Sequence, residues 1–149
     1  MSDLIDGLKK LQANVVSMYA QSHGYHWNVR GMLFKEIHAF FLEIYEDVFD
    51  SIDPISENIR KLGVMAPFGL STWKDAATVV INESQDLDVL EMLNELVKTN
   101  SAIIDQLKEL FKVADAADEQ GVANFIAERI DKHQFWDWQL KATLSKIVH

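Results

Sequence analysis

Tyr25-His26-Trp27-Asn28-Val29-Arg30-Gly31 is the stretch on which the reading of this chain turns. His26 continues an apolar stripe. Leu4, Leu8, Leu11, Val15, Met18 and Ser22 precede it at the spacing of one helical face. The pattern predicts a helix from about Asp3 to Val29, broken by Gly31.

Beyond that break, a second helix is expected from about Leu33 to Leu62, with Gly63 as its stop. Pro54 lies inside it, removes one backbone N–H and crowds the carbonyl of Asp50. A kink or local break is expected there. Gly63 to Leu70 reads as a loop, with Pro67 and Gly69. Thr72 is expected to cap a short helix through about Val80, with Asp75 three residues on. Asn82 to Asp88 reads as a connection. A third long helix is expected from about Asp88 to Ala114, and a fourth from about Asp118 to near Lys146. No repeat or linker divides residues 1–149, so one domain is expected. Four long helices with a short helix in the middle connection bury their apolar faces best as an antiparallel bundle.

Composition agrees with an all-α reading. Pro (2) and Gly (6) are scarce among 149 residues, so few places must turn. With 48% hydrophobic against 25% charged residues, the chain can form a core. Cysteine is absent, which excludes disulfides, thiolate nucleophiles and Cys-ligated metals. No apolar run is long enough to span a membrane. The N-terminus carries neither a basic leader nor an apolar core segment, so a cytoplasmic location is expected. A net charge of −9 disfavours a polyanionic partner such as DNA. It suits either plain solubility or a protein that handles cations.

His26, His38, Asp53 and Glu57 are the residues suited to chemistry. Imidazole and carboxylate together bind divalent iron well and leave positions open for an oxidant. Asp53 and Glu57 lie one turn apart on one helical face, extending a row that begins with Glu46 and Asp50. Such a row is either a solvated acidic face or a cation-binding one. His38 stands about four turns from Asp53, ~22 Å along a continuous helix. One chain cannot bring them together, so a site using all four residues requires two subunits. None of the glutamates has a His three residues later, so a di-iron site inside one subunit is not expected.

His26-Trp27-Asn28-Val29-Arg30-Gly31 resembles the HWNVRG signature of Dps proteins, the miniferritins first described as DNA-binding proteins of starved cells. His38 follows His26 by twelve positions and Tyr45 follows by seven more. Ile52-Asp53, Glu57 and Arg60 are similar to that family's IDEIAERIR segment. Ala127-Glu128-Arg129-Ile130-Asp131-Lys132-His133, with Trp138 beyond, resembles its last-helix block. The resemblance covers essentially the whole chain. It implies a ferritin-like four-helix bundle assembled as a dodecameric cage. It implies a ferroxidase site between two subunits, with His26 and His38 from one chain and Asp53 and Glu57 from the other. It further implies oxidation of ferrous iron by peroxide or oxygen, storage of the ferric product, and protection against oxidative damage.

Two positions depart from the family pattern. The family's acidic residue four places after the second His is Leu42 here, and Pro54 directly follows Asp53. Leu42 predicts that one of the two iron positions is weakened or lost, and Pro54 predicts a shift of the acidic pair. They keep alive an alternative, a shell-forming protein with an impaired ferroxidase site. A plain helical interaction module with incidental histidines is a third reading. The family often has an Asp where this chain has Asn124, so a pore acid is expected to be missing. Lys9 and Lys10 do not make a basic arm, and DNA binding is not expected. Asp118 is expected to cap the last helix, His133 to be structural, and Trp27 chiefly to pack. Phe135, Trp136 and Trp138 are expected in the core or between subunits. His23 and His149 carry no signal.

Overall fold

The stripe that begins at Leu4 becomes the seam of the molecule. In the computed structural model, which describes residues 1–145, helix α1 spans Ser2–Asn28. Leu4, Leu8, Leu11, Val15, Met18, Ser22 and His26 are all buried along it. The chain leaves α1 through an extended Val29 and turns at Gly31, whose φ of 117° is open only to a residue without Cβ strain. Helix α2 spans Phe34–Lys61 and ends before Gly63, at φ 92°. Arg60 and Lys61 place positive charge at its C-terminus, where the helix dipole favours it.

Pro54 does not break α2. The helix runs through it unbroken. A proline withdraws only its own N–H, and the bonds of the turns on either side persist. Asn58 Nδ2 donates to the Pro54 carbonyl at 2.8 Å, adding a local tie just after the disruption.

The short helix α3 also differs from expectation. It spans Leu70–Ala76, starting before Thr72 and ending well before Val80. Gly69, at φ 112°, is its N-cap, and Thr72 makes no cap. Its end has a tertiary cause. Asn14 Oδ1 accepts the backbone N–H groups of Thr78 and Val79 at 2.8 and 3.1 Å, so these donors leave the helical ladder. Buried Asn14 also donates to Thr78 Oγ1 and Gln106 Oε1, so its amide is fully engaged. Gln12 holds the connection one turn earlier. It donates to Ser56 Oγ and to the Pro67 carbonyl, and accepts from Trp73 Nε1. The Tyr25 hydroxyl donates to the Asn82 carbonyl at 2.7 Å. The long middle connection is thereby stitched along α1.

Helix α4 spans Val89–Ala116 and starts in a capping box: Asp88 accepts from the Glu91 N–H while Glu91 accepts from the Asp88 N–H. Asp118 does not cap the last helix. It adopts φ 58° and terminates α4 instead, with Glu119 N–H donating to the Ala114 carbonyl at 3.0 Å. Helix α5 spans Gln120–Leu144, with Glu119 at its N-cap position; the expected extension to Lys146 lies outside the described residues. Helix α1 packs on α2 and α4, and α4 packs on α5. The result is an all-α bundle of four long helices, with α3 laid across α1. No helix among the described residues is long and apolar enough to cross a membrane.

Candidate metal centre

His26 lies in the last turn of α1 and His38 near the start of α2, so the α1–α2 turn brings them face to face. Their rings stack with centroids 3.7 Å apart and 14° between planes. His26 Nδ1 donates to the His38 carbonyl at 2.7 Å. His38 Nδ1 donates to the His26 carbonyl at 2.6 Å. A carbonyl can only accept, so each Nδ1 must carry the proton. In the neutral rings the lone pair therefore sits on Nε2 of both. Fixing the tautomer and ring plane in this way is what an imidazole ligand requires. Phe34 stacks on His38 at 4.8 Å and shields that side of the pair. His26 is buried and His38 half-buried.

Asp53 and Glu57 are exposed on α2, one turn apart. No cation pairs with either among the described residues. Because α2 is unbroken, Asp53 stays ~22 Å along the axis from His38. Among the described residues, no three His, Asp or Glu side chains of one chain converge on a point that could hold a metal ion. Asp53 instead edges an apolar groove of about 440 Å³, lined by Tyr19, Phe49, Ile52, Leu70 and Trp73. Phe49 is 54% and Leu70 85% exposed, which is much apolar area for water to face. Leu42, one turn after His38, is half-buried.

His23 belongs to this region, although the sequence alone singled it out for nothing. It stands three residues before His26 on the same helical face, and that spacing was the available signal. Its ring stacks on Tyr45 with centroids 3.9 Å apart and lies 4.3 Å from the Trp27 ring. Its Nδ1 is 2.9 Å from the Tyr19 hydroxyl. Burial first, and then the neighbouring His26, push His23 below its ordinary pKa and favour the neutral ring.

His133 is structural. It is fully buried, with Nδ1 donating to Asn100 Oδ1 and Nε2 accepting from Arg129. Asn100 in turn donates to the His133 carbonyl. Arg129 forms a two-pronged ion pair with Asp47, which also accepts from Trp136 Nε1. Burial raises the Asp47 carboxyl, but the Arg129 hydrogen bonds and charge outweigh it and hold the group below its ordinary value. Burial and then Arg129 push His133 down to about 3. This network fastens α2, α4 and α5 together, and only the buried Nε–H of Arg129 is left without a partner in it. Phe135 and Trp138 are part-exposed at 38% and 63%, whereas Trp136 is core.

Comparison with known proteins agrees with this architecture. The ferritin-like domain family matches residues 5–148. The crystal structure of Dps from Thermosynechococcus elongatus superposes with a TM-score of 0.95 at 29% identity, covering 98% of this chain and 92% of that one. A Dps protein from Vibrio cholerae O1, described as a member of a broad superfamily of ferritin-like diiron-carboxylate proteins, is 30% identical. It has a TM-score of 0.90 and covers 97% of this chain and 90% of that one. The DNA protection during starvation protein of Helicobacter pylori strain J99 is 27% identical over 138 residues, 93% of this chain and 96% of that protein. Sequence agrees over nearly the full length of both partners in all three cases, and fold does so for the two solved structures; the chain belongs to the Dps family of the ferritin-like superfamily, as a Dps-like miniferritin.

Proposed function

We propose that two copies of this chain close an iron-oxidising site between them, and that the assembled dodecamer stores the ferric product. In this reading His26 and His38 of one subunit face Asp53 and Glu57 of its neighbour. The observation that carries it is the reciprocal bonding of the two histidines, which leaves both Nε2 atoms as fixed acceptors. The exposed carboxylates on the rim of an apolar groove supply the complementary half. The groove is the surface that the neighbour would cover.

Ferrous iron is the substrate, and peroxide or oxygen the oxidant. The chain's own residues bind and orient the ion: neutral imidazole and carboxylate suit divalent iron, and two carboxylates offset the charge gained on oxidation. Removing ferrous iron and peroxide together protects against oxidative damage. The acidic balance argues against DNA as a partner.

A second reading, a shell without fast oxidation, is favoured by Leu42 alone. Anaerobic calorimetric titration with ferrous iron, followed by stopped-flow oxidation, separates the two. Binding that is lost in Asp53→Ala and in His26→Ala, with rapid oxidation in the parent, is the expected result. Undiminished binding in both variants would move the site elsewhere. A crystal soaked in ferrous iron should show anomalous density where two subunits meet.

A further inference from the structure

We propose that Tyr19 and His23 form a redox pair that supplies the second electron when peroxide meets a single ferrous ion at the His26/His38 site. The inference rests on the iron-oxidising reading above.

The chain has 3 tyrosines, Tyr19, Tyr25 and Tyr45. A phenol that loses one electron becomes a strong acid, so it is oxidised most easily where a base already holds its proton. Tyr19 meets that condition, with its hydroxyl 2.9 Å from His23 Nδ1. Phenol is a stronger acid than the N–H of a neutral imidazole, so Tyr19 donates and Nδ1 accepts. Tyr25 donates to a backbone carbonyl, which is too weak a base to take the proton. Among the described residues, Tyr19 alone places its hydroxyl on a side-chain base.

The pair is wired to the histidines by ring contacts. His23 stacks on Tyr45 with centroids 3.9 Å apart and 12° between planes. Tyr45 meets the Tyr19 ring edge-on at 6.3 Å and the His26 ring at 5.2 Å. An electron can pass from Tyr19 to His26 without crossing a gap in this ladder.

Leu42 gives the pair its purpose. Peroxide needs two electrons and two protons to become two waters, and one ferrous ion gives one electron. A one-electron cleavage would release a hydroxyl radical. Tyr19 supplies the missing electron, its proton passes to His23 Nδ1, and two solvent protons complete the two waters. One ferric ion and one Tyr19 phenoxyl radical result. A second ferrous ion then reduces the radical, and His23 returns the proton. The sum is two ferrous ions, one peroxide and two protons giving two ferric ions and two waters.

The pair can be tested without iron. The apo-protein is oxidised by flash excitation of ruthenium tris-bipyridine with persulfate, frozen, and read by electron paramagnetic resonance. A tyrosyl signal should form in the parent and in Tyr25→Phe, and be lost in Tyr19→Phe. In deuterated solvent, electron–nuclear double resonance should detect a hydrogen-bonded deuteron on the radical, absent in His23→Phe, which keeps the ring stack. Circular dichroism checks that each variant is folded. In a second arm the protein receives one ferrous ion per chain and one peroxide. The same tyrosyl signal should appear in the parent, and a hydroxyl spin adduct should replace it in Tyr19→Phe. An undiminished tyrosyl signal in Tyr19→Phe, or a radical confined to Trp27, overturns the pair. Loss of the iron arm alone, with calorimetry finding no bound iron, instead overturns the iron-oxidising reading.

Discussion

Leu42 can neither ligate a cation nor accept a hydrogen bond, and it stands one turn from His38. Apolar surface beside that ring raises the cost of placing charge there. In the proposed site, an ion held by His26, Asp53 and Glu57 would keep three suitable ligands, while one relying on His38 would lack a carboxylate one turn on along the same helix. Anaerobic calorimetry should therefore find one firm ferrous ion per site and a second that is weak. Leu42→Asp should tighten the second and speed oxidation. Two equally tight ions in the parent would refute this and point to exposed Glu43 or Glu46 as a substitute. At this scale the sequence carried residue types and spacings, but not partners. Nothing in it tells that each His Nδ1 meets the other's backbone carbonyl, because a carbonyl has no sequence signal. His23 offered only its spacing from His26, and its surroundings become visible only when Tyr19 and Tyr45 are seen against it.

Among the elements, the apolar periodicity of α1 was fully legible, since the stripe from Leu4 to His26 is the buried one. Ends set by tertiary partners were not. Helix α3 stops where Asn14 takes its donors, and Asp118 ends one helix rather than starting the next. The approach of α1 to α4 was equally hidden: a side chain added at Gly7 would run into buried Leu110. Gly7→Val should destabilise the bundle by about 2 kcal/mol in urea unfolding, through overpacking. The network joining α2, α4 and α5 makes a pH prediction. His133 is about 3 in the folded state against an ordinary 6.5, so only the unfolded chain takes up its proton between those values. Stability from this group is complete above pH ~6.5 and falls by about 1.4 kcal/mol per pH unit below it. Asp47, held low, adds a loss in the same direction only at more acid pH. Between pH 7 and 5 the parent should lose about 2 kcal/mol more than His133→Gln. Equal losses would mean that the imidazole is not kept neutral.

For the whole molecule, the proposed site predicts assembly, because His38 and Asp53 stand far apart on one unbroken helix. Light scattering should report a dodecamer of the 17.0 kDa chain, and a monomer at micromolar concentration would sink the intersubunit site. With a net charge of −9, the assembly should leave plasmid mobility unchanged near neutral pH. A retarded band that disappears as salt rises would reveal a local basic patch. The stitched connection has its own consequence. Gln12, Asn14 and Tyr25 bind it to α1 as far as Asn82, whereas residues 83–86 are exposed. A nick there severs the chain between two helical hairpins and leaves every one of those stitches on the N-terminal piece. The bundle is therefore divisible: fragments 1–84 and 85–149, expressed apart, should find each other on mixing and recover the helicity of the intact protein, so that the peptide link between the halves serves delivery rather than cohesion.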